Sequence, residues 1–252
     1  MTDSRPVKIN ILRGSWIVGA LALLCSALFA LPASADAYPD CATDRLCLYT
    51  GQKGSMAAGE TKPRAYEHQN PQSYSGEFSD KTKSVFNNTG YWACLYGETG
   101  WGSAVAAVKP GGTADISAQS SVEELKNMAA VGVSSHKLAP SRGLCFTGYE
   151  RCPDNQLCLF KETAGRGAWI AFTASTDAYA TEWDRAAMSV MNRTTKHACL
   201  YSNIGQTGSW NSVTNGVHKA YAVLSGDSTS LVQPYLGDVQ SHKLASNSDC
   251  TS

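Results

Sequence analysis

The sequence lacks almost everything from which an enzyme active site or a nucleic-acid surface is usually built. It has no His-Glu-x-x-His pair for zinc-assisted hydrolysis and no Gly-x-Ser-x-Gly elbow for a serine nucleophile, and its five histidines are scattered. No catalytic residue, metal ligand or cofactor site is nominated. A basic stripe is missing too, which removes the electrostatic footprint of a nucleic-acid or anionic-membrane partner. After Leu31 no apolar run reaches the ~20 residues of a membrane span. Sustained helical periodicity is scarce, and the apolar residues fall in short runs bounded by Gly, Asn, Asp, Ser and Pro, a pattern that predicts an all-β chain. Leu46 to Tyr49, Val105 to Val108, Trp169 to Phe172 and Ala220 to Leu224 are its clearest strands. Glu123 to Val131 could form a short helix, although the matching stretch further on contains Pro234.

The chain opens with an export signal. Arg5, Lys8 and Arg13 precede the apolar run Trp16 to Leu31, and Ala33-Ser34-Ala35 is an A-x-A cleavage site, so residues 1–35 are expected to be removed and the mature chain to begin near Asp36. The run is too short for a membrane anchor, and Leu24 stands where a lipid-modified Cys25 would need a small neighbour. Three of the 21 basic and one of the 21 acidic residues lie in this segment, which leaves the mature chain with a net charge near −2. A secreted, extracellular protein is expected, without a membrane after cleavage; nothing in the sequence speaks to its oligomeric state.

Apart from Cys25, eight cysteines remain. An even number in an exported chain reads as a disulfide framework, with no thiol left for catalysis or zinc. They form two sets on nearly one ruler: Cys41, Cys47, Cys94, Cys145 and then Cys152, Cys158, Cys199, Cys250, the gaps differing only in the middle one. Neighbouring words repeat as well. Leu46-Cys47-Leu48-Tyr49 returns as Leu157-Cys158-Leu159-Phe160, Ala93-Cys94-Leu95-Tyr96 as Ala198-Cys199-Leu200-Tyr201, and Ser135-His136-Lys137-Leu138-Ala139 as Ser241-His242-Lys243-Leu244-Ala245. The chain is a tandem duplication, with copies at 36–145 and 146–252 and a short link at Phe146 to Arg151. The longer middle gap of the first copy places an insertion in Glu60 to Ser79, expected to be a surface loop. Equal spacings favour one disulfide pattern used twice, Cys41–Cys47 with Cys94–Cys145 and Cys152–Cys158 with Cys199–Cys250; a bridge between copies would contradict a two-domain organisation. Within each copy a word of type x-Cys-Leu-aromatic opens each half and is followed by Gly-rich sequence, which reads as a β-hairpin folded over its own sheet, with Gly supplying the positive φ.

At these residues the sequence resembles the βγ-crystallin superfamily and, within it, the secreted bacterial metalloproteinase inhibitors. The resemblance lies in the opening Cys152 to Phe160, the middle Asp184 to Thr194 and the second Cys199 to Tyr201, matched by Cys41 to Tyr49, Asp80 to Thr89 and Cys94 to Tyr96. It implies two tandem Greek-key β-sandwich domains and a thermolysin-like metalloproteinase as partner, met through a disulfide-rigidified inhibitory loop whose position no residue marks. A non-inhibitory structural or interaction module of the cell envelope, or an antimicrobial toxin, is the other reading. The family's calcium motif takes a hydroxyl at its fifth position; Lys83 and Met188 stand there instead, neither a ligand for a hard cation. Ser84 and Ser189, which follow, are expected to close hairpins by local hydrogen bonds. His136 and His242 read as structural, the Asn87-Asn88-Thr89 and Asn192-Arg193-Thr194 sequons as turns rather than glycan sites, and Trp92, Trp101, Trp169, Trp183 and Trp210 as core rather than a sugar platform.

Overall fold

The computed structural model describes residues 38–250, except 77, 209, 215, 216, 233, 234 and 249. The export signal and the start near Asp36 lie outside the described residues. In the first copy the strands are β1 (Arg45–Tyr49), β2 (Arg64–Tyr66), β3 (Ser84–Asn88), β4 (Trp92–Tyr96), β5 (Val105–Val108), β6 (Gly112–Asp115) and, after helix α1 (Glu123–Val131), β7 (Ser135–Ala139). The second copy carries β8 (Leu157–Phe160), β9 (Trp169–Phe172), β10 (Ser189–Asn192), β11 (His197–Tyr201), β12 (Trp210–Thr214), β13 (Val217–Lys219), β14 (Tyr221–Val223), β15 (Ser228–Ser230) and β16 (Ser241–Ala245).

Every pairing is antiparallel, and among the described residues no sheet mixes strands of the two copies. The first copy pairs in the order β2-β1-β3-β6 and β5-β4-β7; the second repeats this as β9-β8-β10-β15 and β14-β11-β16, with β12-β13 as a separate hairpin. The Greek key is visible in the exchange of third strands. β6, the third strand of the second half, joins the sheet of the first half at β3. In return the irregular stretch Asn70–Tyr74 of the first half runs along β7: His136 N–H donates to Pro71 O (3.2 Å) and Tyr74 N–H to Ser134 O (2.8 Å). In the second copy β15 crosses to β10, and Thr176 and Tyr179 lie along β16, with Thr176 and His242 exchanging both backbone bonds at 3.0 Å. Neither half can close its sheet alone, so each copy folds as two interlocked halves.

The repeated word explains itself in this setting. Side chains alternate between faces along a strand, so in β1 Leu46 and Leu48 enter the main core while Cys47 and Tyr49 point to the opposite face, where Tyr38 and Phe86 cover them. All four are fully buried. β4, β8 and β11 do the same, so each sheet has a main core on one side and a small disulfide-centred cluster on the other. This is why these strands read as unbroken apolar runs and not as an apolar–polar alternation.

The stretch Glu60 to Ser79 is not simply an inserted loop, as expected from its composition, because it contains β2. From Cys47 to its cross-strand partner Ala65 the chain takes 18 residues, against 13 from Cys158 to Ala171, so five of the six extra residues lie in the hairpin before β2. A surface hairpin end absorbs added residues without disturbing the ladder. Helix α1 spans the segment expected from sequence, and among the described residues the second copy has no matching helix. Its connection between β6 and β7 is matched there by a shorter one between β15 and β16, while β12 and β13 lengthen the second copy between β11 and β14. From Cys94 to its partner Ala107 there are 13 residues, but from Cys199 to Ala222 there are 23.

Candidate functional site: four locked hairpins

The first strand of each half leads into a hairpin that folds back over the sheet, and its tip is locked in the same way four times. The tip needs two successive residues at positive φ: Lys53 and Gly54, Gly100 and Trp101, Ala164 and Gly165, Gly205 and Gln206. Only two of these four pairs begin with Gly, so the turn is held by its surroundings as well as by residue choice. The first N–H of each pair donates to the exchanged third strand: Lys53 to Asp115 Oδ1 (2.7 Å), Gly100 to Gln72 O (2.6 Å), Ala164 to Ser230 Oγ (2.8 Å) and Gly205 to Asp177 O (2.6 Å).

A serine at the start of each fourth strand completes the lock. Ser84, Ser135, Ser189 and Ser241 are all fully buried. Their hydroxyls donate to Gly51 O (2.7 Å), Glu98 O (2.6 Å), Glu162 O (2.6 Å) and Asn203 O (2.6 Å). Three of them also accept from the second tip residue, at Gly54 N, Gly165 N and Gln206 N. Ser84 and Ser189 do close hairpins, but through bonds to residues 24–33 positions away and not the local ones expected; that Ser135 and Ser241 share the role was missed, although both open the repeated Ser-His-Lys-Leu-Ala word. Ser189→Ala would strand a buried donor and a buried acceptor, and we expect it to lower stability by about 1–3 kcal/mol in a urea titration.

Disulfides fix the frame behind the tips. The structure joins Cys41 to Cys47, Cys94 to Cys145, Cys152 to Cys158 and Cys199 to Cys250, with Cα–Cα distances of 5.0–5.8 Å. In each pair one cysteine sits in β1, β4, β8 or β11, two residues before the aromatic that precedes the hairpin. The other ties down a flanking segment that runs over that face.

Two of the four hairpins are occupied by contacts between the copies. Gly100 lies so close to Gly167 that a Cβ there would meet its carbonyl oxygen at 2.9 Å. Ser103 N–H donates to the Glu162 carboxylate at 2.8 Å, and Arg166 donates back to Ser103 O at 2.9 Å. Arg151, at the end of the link, binds Gly100 O (2.7 Å), Gly165 O (2.7 Å) and Gly167 O (2.8 Å), its guanidinium over the rings of Trp101 and Phe160. Burial lowers its pKa to about 10, which leaves it charged at neutral pH. Lys137 joins the cluster through Glu150 and the face of Trp101. Among the described residues, the hairpins that begin at Gly51 and Ser202 make no such contacts.

The remaining sequence candidates resolve as structure. His136 and His242 are fully buried and accept or share a hydrogen bond with Tyr74 (2.8 Å) and Tyr179 (3.1 Å). Burial pushes their pKa values down to about 3 and about 4, with the backbone at Gln69 and Ala174 pulling weakly the other way. Asn87 and Asn192 are also fully buried, which removes them as glycan acceptors in the folded protein. The Asn192 amide donates to Lys196 O, Val223 O and Leu224 O, and its oxygen accepts from the Thr194 backbone and hydroxyl; Asn87 repeats this with Tyr91, Val108, Lys109 and Thr89. Each stitches the turn after the fourth strand to the neighbouring sheet. Trp101 and Trp183 are buried, Trp92 and Trp169 half-buried, and the side chain of Trp210 lies outside the described residues.

At the calcium-motif positions one carboxylate oxygen of each aspartate already has a partner, Asp80 accepting from Ser134 (2.7 Å) and Asp184 from Gln240 (2.6 Å), while the Thr82 hydroxyl is buried without one. Among the described residues no three His, Cys, Asp or Glu side chains converge as a metal site would require. A depression of about 550 Å³ opens between the first hairpin, β6 and α1. Its carboxylate, Asp115, is the one that accepts the Lys53 N–H.

Paired Greek-key sandwiches with exchanged third strands and locked hairpins define a tandem βγ-crystallin-like protein. The profile of Peptidase inhibitor family I36 matches residues 34–108 and 147–213, once in each copy and over more than half of the chain. The chain belongs to that family of peptidase inhibitors. Among solved structures, geodin, a βγ-crystallin from Geodia cydonium, is 11% identical over 81% of this chain and 99% of its own, with a TM-score of 0.33. Protein S complexed with calcium is 13% identical over 81% of this chain and 100% of its own, with a TM-score of 0.28. A structure solved for the evolution of the eye-lens βγ-crystallin domain fold is 14% identical over 38% of this chain and 91% of its own, with a TM-score of 0.32. These likenesses concern the fold alone. Comparison with curated proteins returns no match.

Proposed function

We propose that this protein is exported, is not an enzyme, and inhibits extracellular metalloproteinases of the thermolysin-like type through a disulfide-braced hairpin. The observation that carries the reading is the fourfold lock: hairpin tips held by backbone bonds, a buried serine and a disulfide, on a scaffold from a family of peptidase inhibitors. Such a tip loses little conformational entropy on docking, so more of the contact energy appears as affinity. A locked turn also resists being drawn into the extended form in which proteases hold a substrate, so it is cleaved slowly. The copies are proposed to divide at 145/146, as the sheet content of each half supports. Titration of the oxidised, exported protein against a thermolysin-like enzyme is expected to abolish peptide hydrolysis at sub-micromolar inhibitor. Full protease activity at micromolar inhibitor, together with retention on a polysaccharide or cell-wall resin, would instead assign the protein to the interaction modules.

A further inference from the structure

The four hairpins are equivalent in backbone but not in what they present. The residue just before the positive-φ pair of each tip is exposed, and it is Gln52, Thr99, Thr163 and Ile204 in turn. Three are polar. Ile204 is a branched aliphatic side chain left 61% exposed, where burial of such a side chain is worth about 1.5–3 kcal/mol. Its backbone is held at four points: Asn203 N–H donates to Thr207 O, the Thr207 hydroxyl to Ile204 O, Gly205 N–H to Asp177 O and Gln206 N–H to Ser241 Oγ. The Gln206 amide adds a 2.6 Å bond to Asp177 Oδ1, and Cys199 of the Cys199–Cys250 bridge lies five residues before the tip.

The other three tips are spent elsewhere. Those at Thr99 and Thr163 belong to the hairpins that meet at the junction of the copies, with Arg151 and Glu162 between them. At the first tip the Gln52 amide is turned inward onto Ile116 O (3.0 Å). An exposed apolar side chain on a rigid turn does nothing for the fold of its own copy, and rigidity without a covering neighbour is the condition under which burial by a partner is most productive.

We propose that Ile204 is the side chain that enters the protease: the Asn203–Gly208 tip acts as a wedge, seating Ile204 in an apolar specificity subsite while its backbone stays in a turn. The second copy is therefore the inhibitory one, and the first copy braces it. This inference rests on the reading of the chain as a peptidase inhibitor. The test compares inhibition constants of the full oxidised protein and three variants against one metalloproteinase that the unaltered protein inhibits. Ile204→Asp and Ile204→Thr, the latter giving the residue found at two sister tips, should weaken inhibition by roughly 30-fold or more, as expected for a hot-spot anchor. Leu144→Asp, the same kind of change at another exposed apolar position, should leave it within about threefold. Thermal unfolding of each variant verifies the fold, which Ile204→Thr is least able to disturb. Unchanged inhibition by folded Ile204→Asp overturns the wedge while the inhibitor reading stands; no inhibition by the unaltered protein overturns the inhibitor reading first.

Discussion

Cys94→Ala/Cys145→Ala will lower the unfolding free energy of the first copy by about 4 kcal/mol, whereas Cys41→Ala/Cys47→Ala will lower it by about 2. Closing a 51-residue loop removes more freedom from the unfolded chain than closing a six-residue one. The native state adds to the difference. Cys94 and Cys145 are both fully buried and sit with Tyr96, Trp101 and Ala139, so removing the sulfurs opens a void in that cluster. For a unit of about 105 residues with the usual 5–15 kcal/mol of stability, this is a large fraction. Equilibrium urea unfolding of the two double variants checks the ranking. A greater loss from the short bridge would show that local anchoring of the N-terminal segment, and not loop closure, dominates.

The second large effect is acid sensitivity. His136 and His242 have folded pKa values near 3 and 4, below the 6.5 of an exposed imidazole, because burial among aromatic side chains disfavours the charged form. Between those limits the unfolded chain binds the extra proton, so stability is complete above about pH 6.5 and is lost as pH falls towards the folded values. Each pH unit in that window costs about 1.4 kcal/mol per histidine, or roughly 2–3 kcal/mol per copy on going from pH 7 to 4.5. The groups facing the rings do not offset this. Burial raises the Tyr74 and Tyr179 hydroxyls, so they stay neutral throughout the window. His136→Gln/His242→Gln should be less stable at pH 7 but flatter with acidification. If the double variant keeps the full acid slope in thermal unfolding, the two histidines are not its source.

Much of the architecture could be read from residues. The x-Cys-Leu-aromatic words mark the first strand of all four halves because those strands are buried on both faces, and burial on both faces leaves only one kind of residue to use. The two sequons were legible as turns for a similar reason: an Asn followed two residues later by Thr can satisfy its own side-chain oxygen, and Asn87 and Asn192 do so. Other features misled. The equal 51-residue spacing of Cys94–Cys145 and Cys199–Cys250 looks like unchanged length, yet it conceals two unlike additions, α1 in the first copy and β12–β13 in the second, which happen to compensate. Spacing records the sum of what lies between two residues and not where it lies. Cross-strand register narrows the surplus of the first copy further than spacing can, placing five of the six extra residues in the connection between β1 and β2, which overlaps the start of the polar stretch.

Taken alone, the chain determined its all-β character, its duplication, its disulfide-ready cysteines and its resemblance to a family of inhibitors, since these depend on residue type and local order. Only tertiary structure decided which strands are exchanged between halves, that four distant serines perform one task, and that two of the four hairpins are consumed at the junction of the copies while Ile204 is left uncovered. Those outcomes depend on contacts between residues far apart in the chain, such as Gly205 with Asp177 and Gly100 with Arg151, and such contacts leave no periodicity or spacing along the sequence.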